Sequence, residues 1–191
     1  LLVLFLIGFF ILTQLNMPSI ILGLVIVPLI FLYPLAKRFF LLPQIILAFT
    51  YNWGCLIGWT SINSPSNFKS ILLLFFALVL WTVIYDTVYA TQDEEEDKKI
   101  GLYSTTLFFG KKKIFYLNIL MFFQYSLILY FGYVLQYNII FQFGILFSSI
   151  VNFYTLNFFW KGKKENSNSY FKKNNLIGVL LLLNFMFAKG F

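Results

Sequence analysis

The stretch "SILLLFFALVLWTVIYDTVYATQDEEED", residues 70–97, decides the fold of this chain. Its first part is an unbroken apolar run, and the run ends in a cluster of acidic residues. A helix of about 20 apolar residues is long enough to cross the hydrocarbon core of a bilayer. The stretch therefore predicts a membrane helix with a concentration of negative charge at one end.

The composition extends this prediction to the whole chain. Of its 191 residues, 60% are hydrophobic and 11% are charged, whereas a soluble domain has roughly a quarter of charged residues. Backbone groups in lipid are satisfied in helices or closed barrels, and long apolar runs without alternation exclude the barrel. We predict an all-α, polytopic transmembrane helix bundle with about seven spans, at 1–14, 19–33, 43–61, 70–92, 114–135, 138–160 and 175–190.

Charge and composition exclude several function classes. The chain has no histidine and a single cysteine, which excludes histidine-based catalysis and an internal disulfide. Its net charge of +7 comes from lysines in short loops, which favours a membrane protein over a nucleic-acid-binding one. Alternating the spans leaves only Lys69 and Lys189 on one side. The other side, predicted to be cytoplasmic together with the acidic segment, holds Lys37, Arg38, Lys98, Lys99, Lys111, Lys112, Lys113, Lys161, Lys163, Lys164, Lys172 and Lys173.

The acidic segment contains a candidate metal site. On a continuous helix Asp86, Asp93 and Asp97 lie within about 40° of one another. Aligned carboxylates near lipid repel one another, and a divalent cation relieves that repulsion. Because Mg²⁺ is held by one or two carboxylates together with substrate phosphates, Asp93 and Asp97 form a candidate half-site for Mg²⁺ and a diphosphate. Residues 94–96, all glutamate, are expected to face solvent. The alternative is a solvated acidic loop.

Two further segments hold candidate site residues. In "YPLAKR", residues 33–38, Tyr33 and Lys37 share a helical face if the helix continues past Pro34. Lys37 and Arg38 are then suited to bind phosphate oxygens; the alternative is that they are ordinary basic residues flanking a membrane span.

Gln44 and Asn52 lie inside an apolar span, where polar groups either join helices or line a cavity. The segment "KGKKENSNSYFKKNN", residues 161–175, is expected to be a solvated loop.

These segments resemble the UbiA-type intramembrane prenyltransferases, in the branch that prenylates 4-hydroxybenzoate. "YDTVYATQDEEEDKKIGLYST", residues 85–105, is similar to the second aspartate-rich motif of the family, and residues 33–59 and 170–185 are similar to further family segments. The resemblance implies that Asp93 and Asp97 bind metal and diphosphate and that Tyr33 and Lys37 form the YxxxK pair. It also implies a single domain over residues 1–191 that lacks the first two of nine helices, because the first motif, NDxxDxxxD, has no counterpart here.

For an intact protein that also has the first motif, the function implied by the resemblance is Mg²⁺-dependent transfer of a polyprenyl group from an all-trans polyprenyl diphosphate to the ring of 4-hydroxybenzoate in ubiquinone synthesis. Without that motif the chain is not expected to catalyse the reaction alone. Lys37 and Arg38 are the candidate catalytic residues, and Tyr33, Lys37, Asn52 and Asp86 are the candidate substrate-binding residues. The expected partners are polyprenyl diphosphate, 4-hydroxybenzoate and the lipid bilayer of a bacterial or a mitochondrial inner membrane, with no nucleic acid. The alternatives are another aromatic acceptor, an inactive remnant without the first motif, and a fragment of a cation transporter.

Overall fold

The computed structural model describes residues 2–62 and 68–188, and all regular elements within these ranges are helices. Lys189 and the outermost residues of the first and last predicted spans lie outside the described ranges. The helices are α1 Leu2–Thr13, α2 Met17–Val25, α3 Val27–Leu32, α4 Ala36–Phe39, α5 Pro43–Ile62, α6 Phe68–Ala90, α7 Glu94–Lys99, α8 Thr105–Phe109, α9 Lys113–Val134, α10 Ile139–Tyr154 and α11 Ser167–Met186. Single 3₁₀ turns join α3 to α4 and α8 to α9, and a π-helical segment, Thr155–Trp160, extends α10.

Five helical segments of the described chain are long and apolar enough to cross a membrane. They are Met17–Phe39, Pro43–Ile62, Phe68–Ala90, Thr105–Val134 and Ile139–Trp160. These segments confirm the polytopic helical fold, and they overlap the second to sixth predicted spans. The first predicted span corresponds to α1, which has 12 residues, and the last corresponds to part of α11. The count of seven spans stays a prediction.

Polar side chains set the points at which several helices begin. Asn16 accepts a hydrogen bond from the backbone N–H of Ser19 at the start of α2, and Asn138 does the same for Phe141 at the start of α10. Each bond satisfies one of the backbone donors that a helix leaves free at its N-terminus. The π-helical segment ends where Lys161 and Gly162 adopt positive φ angles of 54° and 71°. These caps and turns fix where the chain leaves one helix and enters the next.

Helix α6 lies at the centre of the bundle. One apolar cluster joins it to α5 and includes Ile71, Phe75 and Leu56. A larger cluster joins it to α9, α10 and α11 and includes Ile84 and Leu117. Packing on both sides holds α6 in place and fixes the position of its C-terminal end, where the acidic segment begins.

The segment that the sequence suggested was a solvated loop, residues 161–175, is mostly the first half of α11. The loop prediction is wrong because one face of this segment is packed against the bundle. Ser167 and Tyr170 are both fully buried. The Ser167 hydroxyl accepts a hydrogen bond from the Trp160 indole and also bonds the hydroxyl of Thr91 at the end of α6. The polar start of α11 is therefore tied to the end of the central helix.

Candidate functional site

The acidic segment is not one continuous helix. Helix α6 ends at Ala90 and α7 begins at Glu94. Between them the backbone N–H groups bond carbonyls three residues back, as in the 3.2 Å bond from Asp93 to Ala90. The single helical face predicted for Asp86, Asp93 and Asp97 required an uninterrupted helix, and that assumption is wrong. Asp86 lies on α6, whereas Asp93 and Asp97 flank the first turn of α7.

Lys37 and Asp97 form an ion pair between α4 and α7. The Lys37 ammonium donates to both carboxylate oxygens of Asp97, at 3.3 Å and 3.1 Å. The Asp97 side chain is 6% exposed and that of Lys37 is 42% exposed. The backbone reinforces the contact, because the N–H of Tyr103 donates to the carbonyl of Lys37 over 2.9 Å and that of Leu102 donates to the carbonyl of Asp97 over 2.9 Å. The loop after α7 therefore holds the carboxylate against the lysine.

A cavity of about 130 Å³ lies beside this ion pair and is lined by Tyr33, Pro34, Lys37, Pro43, Gln44, Leu47 and Asp86. The chain stays helical from Tyr33 to Phe39 through a 3₁₀ turn. Tyr33 and Lys37 therefore line the same cavity, as predicted from their spacing. Asp86 enters the cavity from α6, where it lies within electrostatic reach of Lys37 and close to Gln44. Lys37 therefore stands between two carboxylates, those of Asp86 and Asp97.

Gln44 is a residue of this cavity that the set of predicted site residues omitted. It is buried, with 3% of its surface exposed. Its side-chain oxygen accepts a hydrogen bond from the backbone N–H of Thr105 over 2.9 Å, and the side chain lines the cavity together with Asp86. The available signal was a polar side chain directly after the proline that begins α5. Gln44 therefore ties the start of α5 to the start of α8 beside Lys37 and Asp86.

Three of the predicted site residues lie outside this arrangement. Arg38 is exposed and forms no ion pair with any residue of the described chain. Asp93 is exposed at the N-terminus of α7. Asn52 lies deeper along α5 and lines a different cavity, described below. The structure thus brings together Tyr33, Lys37, Asp86 and Asp97, and it leaves the predicted roles of the others as predictions.

Glu94 differs from its two glutamate neighbours. Glu95 and Glu96 are exposed, as expected. Glu94, by contrast, is paired with Lys113 at the start of α9 and accepts a hydrogen bond from the Thr106 hydroxyl over 3.3 Å. The prediction that Glu94 faces solvent is wrong, because the turn before α7 directs this side chain towards α9. Helix α7 therefore makes two separate ion pairs, one with α4 and one with α9.

The donor set at this end of the bundle suits a hard cation. Asp93 and Asp97 lie one helical turn apart and offer carboxylate oxygens, which are the ligands that Mg²⁺ prefers. No group of three or more acidic, cysteine or histidine side chains in the described ranges is arranged to hold a metal ion. Two carboxylates alone leave most of the coordination sphere of such a cation to other ligands.

The sequence matches a known protein family and several curated proteins. Residues 1–182 match the model of the UbiA prenyltransferase family. The chain is 48% identical over 105 residues to the mitochondrial 4-hydroxybenzoate polyprenyltransferase of Arabidopsis thaliana. These 105 residues are 55% of this chain and 26% of the Arabidopsis protein. It is 47% identical over 97 residues to the protein of the same name from Homo sapiens. These 97 residues are 51% of this chain and 26% of the human protein. The matched segments thus span about a quarter of these relatives.

Two solved structures share the fold. One is a digeranylgeranylglyceryl phosphate synthase studied in membranes, with a TM-score of 0.75 at 21% identity, covering 97% of this chain and 66% of that one. The other is the apo form of a UbiA homolog from Aeropyrum pernix K1, with a TM-score of 0.72 at 20% identity, covering 93% of this chain and 68% of that one. At these identities the likeness concerns the helical architecture.

Proposed function

Since the chain belongs to the UbiA prenyltransferase family, we propose that the protein transfers a polyprenyl group from a polyprenyl diphosphate to the ring of 4-hydroxybenzoate. The names of the matched Arabidopsis and human relatives support this acceptor. The resemblance of the motif from Tyr85 to Thr105 to the branch that prenylates 4-hydroxybenzoate supports it as well.

The observation on which the proposal rests is the convergence of Lys37, Asp97 and Asp86 at one end of α6. A diphosphate leaving group accumulates negative charge as its bond to carbon breaks, and a fixed cation at that point lowers the barrier. Lys37 is such a cation, and its contact with the buried Asp97 holds it in place before the substrate binds. Arg38, which is exposed, is proposed as a helper that binds the outer phosphate oxygens.

Asp93 and Asp97 are the residues that would hold Mg²⁺ together with the diphosphate. When bound, the ion neutralises the diphosphate and makes it a better leaving group. Asp97 would then share its carboxylate between the ion and Lys37, and the exposed Asp93 is accessible from the aqueous side. Tyr33 and Asp86 line the adjoining cavity and would position the substrate at the mouth of the membrane-embedded region.

In the proposed reaction the bond between the diphosphate oxygen and the allylic carbon breaks, leaving the electron pair on the oxygen. The ring carbon of 4-hydroxybenzoate next to the carbon that bears the hydroxyl attacks the allylic cation. The ring then loses the proton from that carbon and regains aromaticity. The products are diphosphate and 3-polyprenyl-4-hydroxybenzoate. The surrounding apolar helices exclude water, which would otherwise capture the cation.

We place the protein in a mitochondrial or bacterial inner membrane, with α7 on the side where twelve of the basic residues are predicted to lie. The matched relatives named as mitochondrial support the first membrane. The lipid bilayer also supplies the route by which a long polyprenyl chain reaches the apolar helices.

The test is product formation in membranes that contain the protein. Polyprenyl diphosphate and isotopically labelled 4-hydroxybenzoate are added with Mg²⁺, and lipid-soluble product is identified by mass spectrometry. A prenylated hydroxybenzoate that disappears when EDTA is added supports the proposal. Parallel incubations with a naphthoate acceptor test the alternative acceptor. Prenylation of the naphthoate in place of 4-hydroxybenzoate would contradict the acceptor, and no prenylated product at all would contradict the proposed function.

A further inference from the structure

A second cavity lies next to the site, between α5, α6 and α11. It has a volume of about 360 Å³ and is lined by Tyr51, Asn52, Trp81, Thr82, Tyr85, Phe171, Asn174, Asn175, Gly178, Val179 and Leu182. Tyr85 directly precedes Asp86 of the smaller cavity, and Tyr51 is one helical turn from Leu47 of the same cavity. The two cavities are therefore neighbours along the groove between α5 and α6.

The walls of this second cavity combine aromatic rings with amides. Trp81 and Tyr85 meet edge to face with their ring centres 6.2 Å apart, and Tyr85 and Phe171 meet in the same way at 5.7 Å. Such a surface accepts a further aromatic ring in an edge-to-face or offset arrangement. Pockets for small molecules typically have this character, with mostly apolar walls and a few polar groups that fix the orientation of the ligand.

The amides of the cavity retain hydrogen-bonding capacity. The Asn174 side-chain oxygen accepts the indole N–H of Trp81 over 2.9 Å, which leaves its N–H₂ group without a bond to any described residue. Asn175 is exposed and likewise bonds no described side chain. The Asn52 amide nitrogen donates to Thr82 over 2.8 Å and to the carbonyl of Ala48 over 2.8 Å, so that its oxygen stays available as an acceptor.

A hydrocarbon chain would bury these amides without a partner, and each unsatisfied polar group costs about 1–3 kcal/mol. A polar aromatic molecule satisfies them, because its oxygens accept N–H bonds and its hydroxyl donates to the Asn52 oxygen. We propose that this cavity binds the aromatic acceptor, with Asn174 and Asn175 donating to its oxygen atoms and its ring packed beside Trp81 and Tyr85. The inference rests on the proposed function and specifies where the acceptor ring lies relative to the diphosphate.

Gly178 provides a direct steric test. A Cβ atom built on this residue lies 3.1 Å from the end of the Trp81 ring, so a larger side chain must occupy the cavity. Gly54 is the matched control, since it is exposed on α5 and a Cβ there meets no atom of the described chain within 4 Å. Asn175→Leu removes one of the proposed donors and, being at an exposed position, leaves the packing of α11 unchanged.

The experiment measures binding of radiolabelled 4-hydroxybenzoate to the purified protein in lipid nanodiscs, without polyprenyl diphosphate. Asn175→Leu is expected to weaken this binding about tenfold, the effect of losing one hydrogen bond or about 1.4 kcal/mol. Gly178→Leu is expected to weaken it at least as much, because its side chain takes up space that the ring needs. Gly54→Leu is expected to bind as the unmodified protein does. Binding of polyprenyl diphosphate is expected to stay within about twofold in all three variants, which also shows that they are folded.

Three results would overturn the inference. These are unchanged hydroxybenzoate binding in both cavity variants, a selective loss of polyprenyl diphosphate binding, and no hydroxybenzoate binding by the unmodified protein. The first two are independent of the proposed function, which the product assay tests. Product formed with an unaltered KM for the acceptor in Asn175→Leu contradicts the inference alone.

Discussion

Replacing Lys37 by methionine removes the cation of the α4–α7 ion pair while keeping a side chain of similar length. Two unit charges 3.1 Å apart attract each other by about 5 kcal/mol at an effective dielectric constant of roughly 20. Because the Lys37 side chain is 42% exposed, solvent screening reduces the net contribution to about 1–3 kcal/mol. The Asp97 carboxylate, which is 6% exposed, is left without its cation. Lys37→Met is therefore expected to lower the free energy of unfolding by about 1–3 kcal/mol.

The assay is reversible denaturation in mixed micelles, followed by the helical circular dichroism signal. Lys98→Met is the control, because Lys98 is exposed on α7 and forms no ion pair with a described residue. The double variant Lys37→Met with Asp97→Asn removes the buried charge as well. Its loss of unfolding free energy should therefore be smaller than the sum of the losses in the two single variants, by a coupling energy of about 1–2 kcal/mol. Strict additivity, or a Lys37→Met variant as stable as the unmodified protein, would refute the proposed coupling.

Three further predictions concern other polar side chains. Gln124→Leu should raise the free energy of unfolding by about 1–3 kcal/mol, since Gln124 is fully buried and neither atom of its amide finds a partner in the described chain; denaturation of this variant checks the sign. Asn138→Ala should lower it by about 1 kcal/mol, because Asn138 caps α10 and also donates to the carbonyl of Phe187 over 2.7 Å. Glu94→Gln should destabilise the protein more than Glu95→Gln, since Lys113, which is 14% exposed, loses its partner; equal midpoints for the two variants would contradict this.

The membrane helices were predictable from the sequence because their signal is local. An apolar run long enough to cross a bilayer appears as composition within one window, and the bounds of α5 and α6 lie within about two residues of the predicted spans. The pairing of Tyr33 with Lys37 was likewise predictable from a spacing of four residues. Both inferences need only the geometry of a single helix.

The contacts between helices were not predictable in this way. The break between Ala90 and Glu94 contains neither glycine nor proline, the residues that most often interrupt a helix. Unless that break is known, Asp97 cannot be assigned to the ion pair with Lys37 or Glu94 to the ion pair with Lys113. At the start of α11, Ser167 is buried against Trp160, seven residues earlier, and against Thr91, which is 76 residues away in sequence. Tertiary packing decided each of these features.

The most direct test of the account is the initial rate of 3-polyprenyl-4-hydroxybenzoate formation in membranes that contain Asp93→Ala or Asp97→Ala. The control is Glu96→Ala, an exposed carboxylate on the same short helix. Each aspartate variant is expected to lose at least about 100-fold in rate, since each removes a group that stabilises the charge of the leaving diphosphate. The control should retain the rate of the unmodified protein. Undiminished product from both aspartate variants would contradict the assigned site.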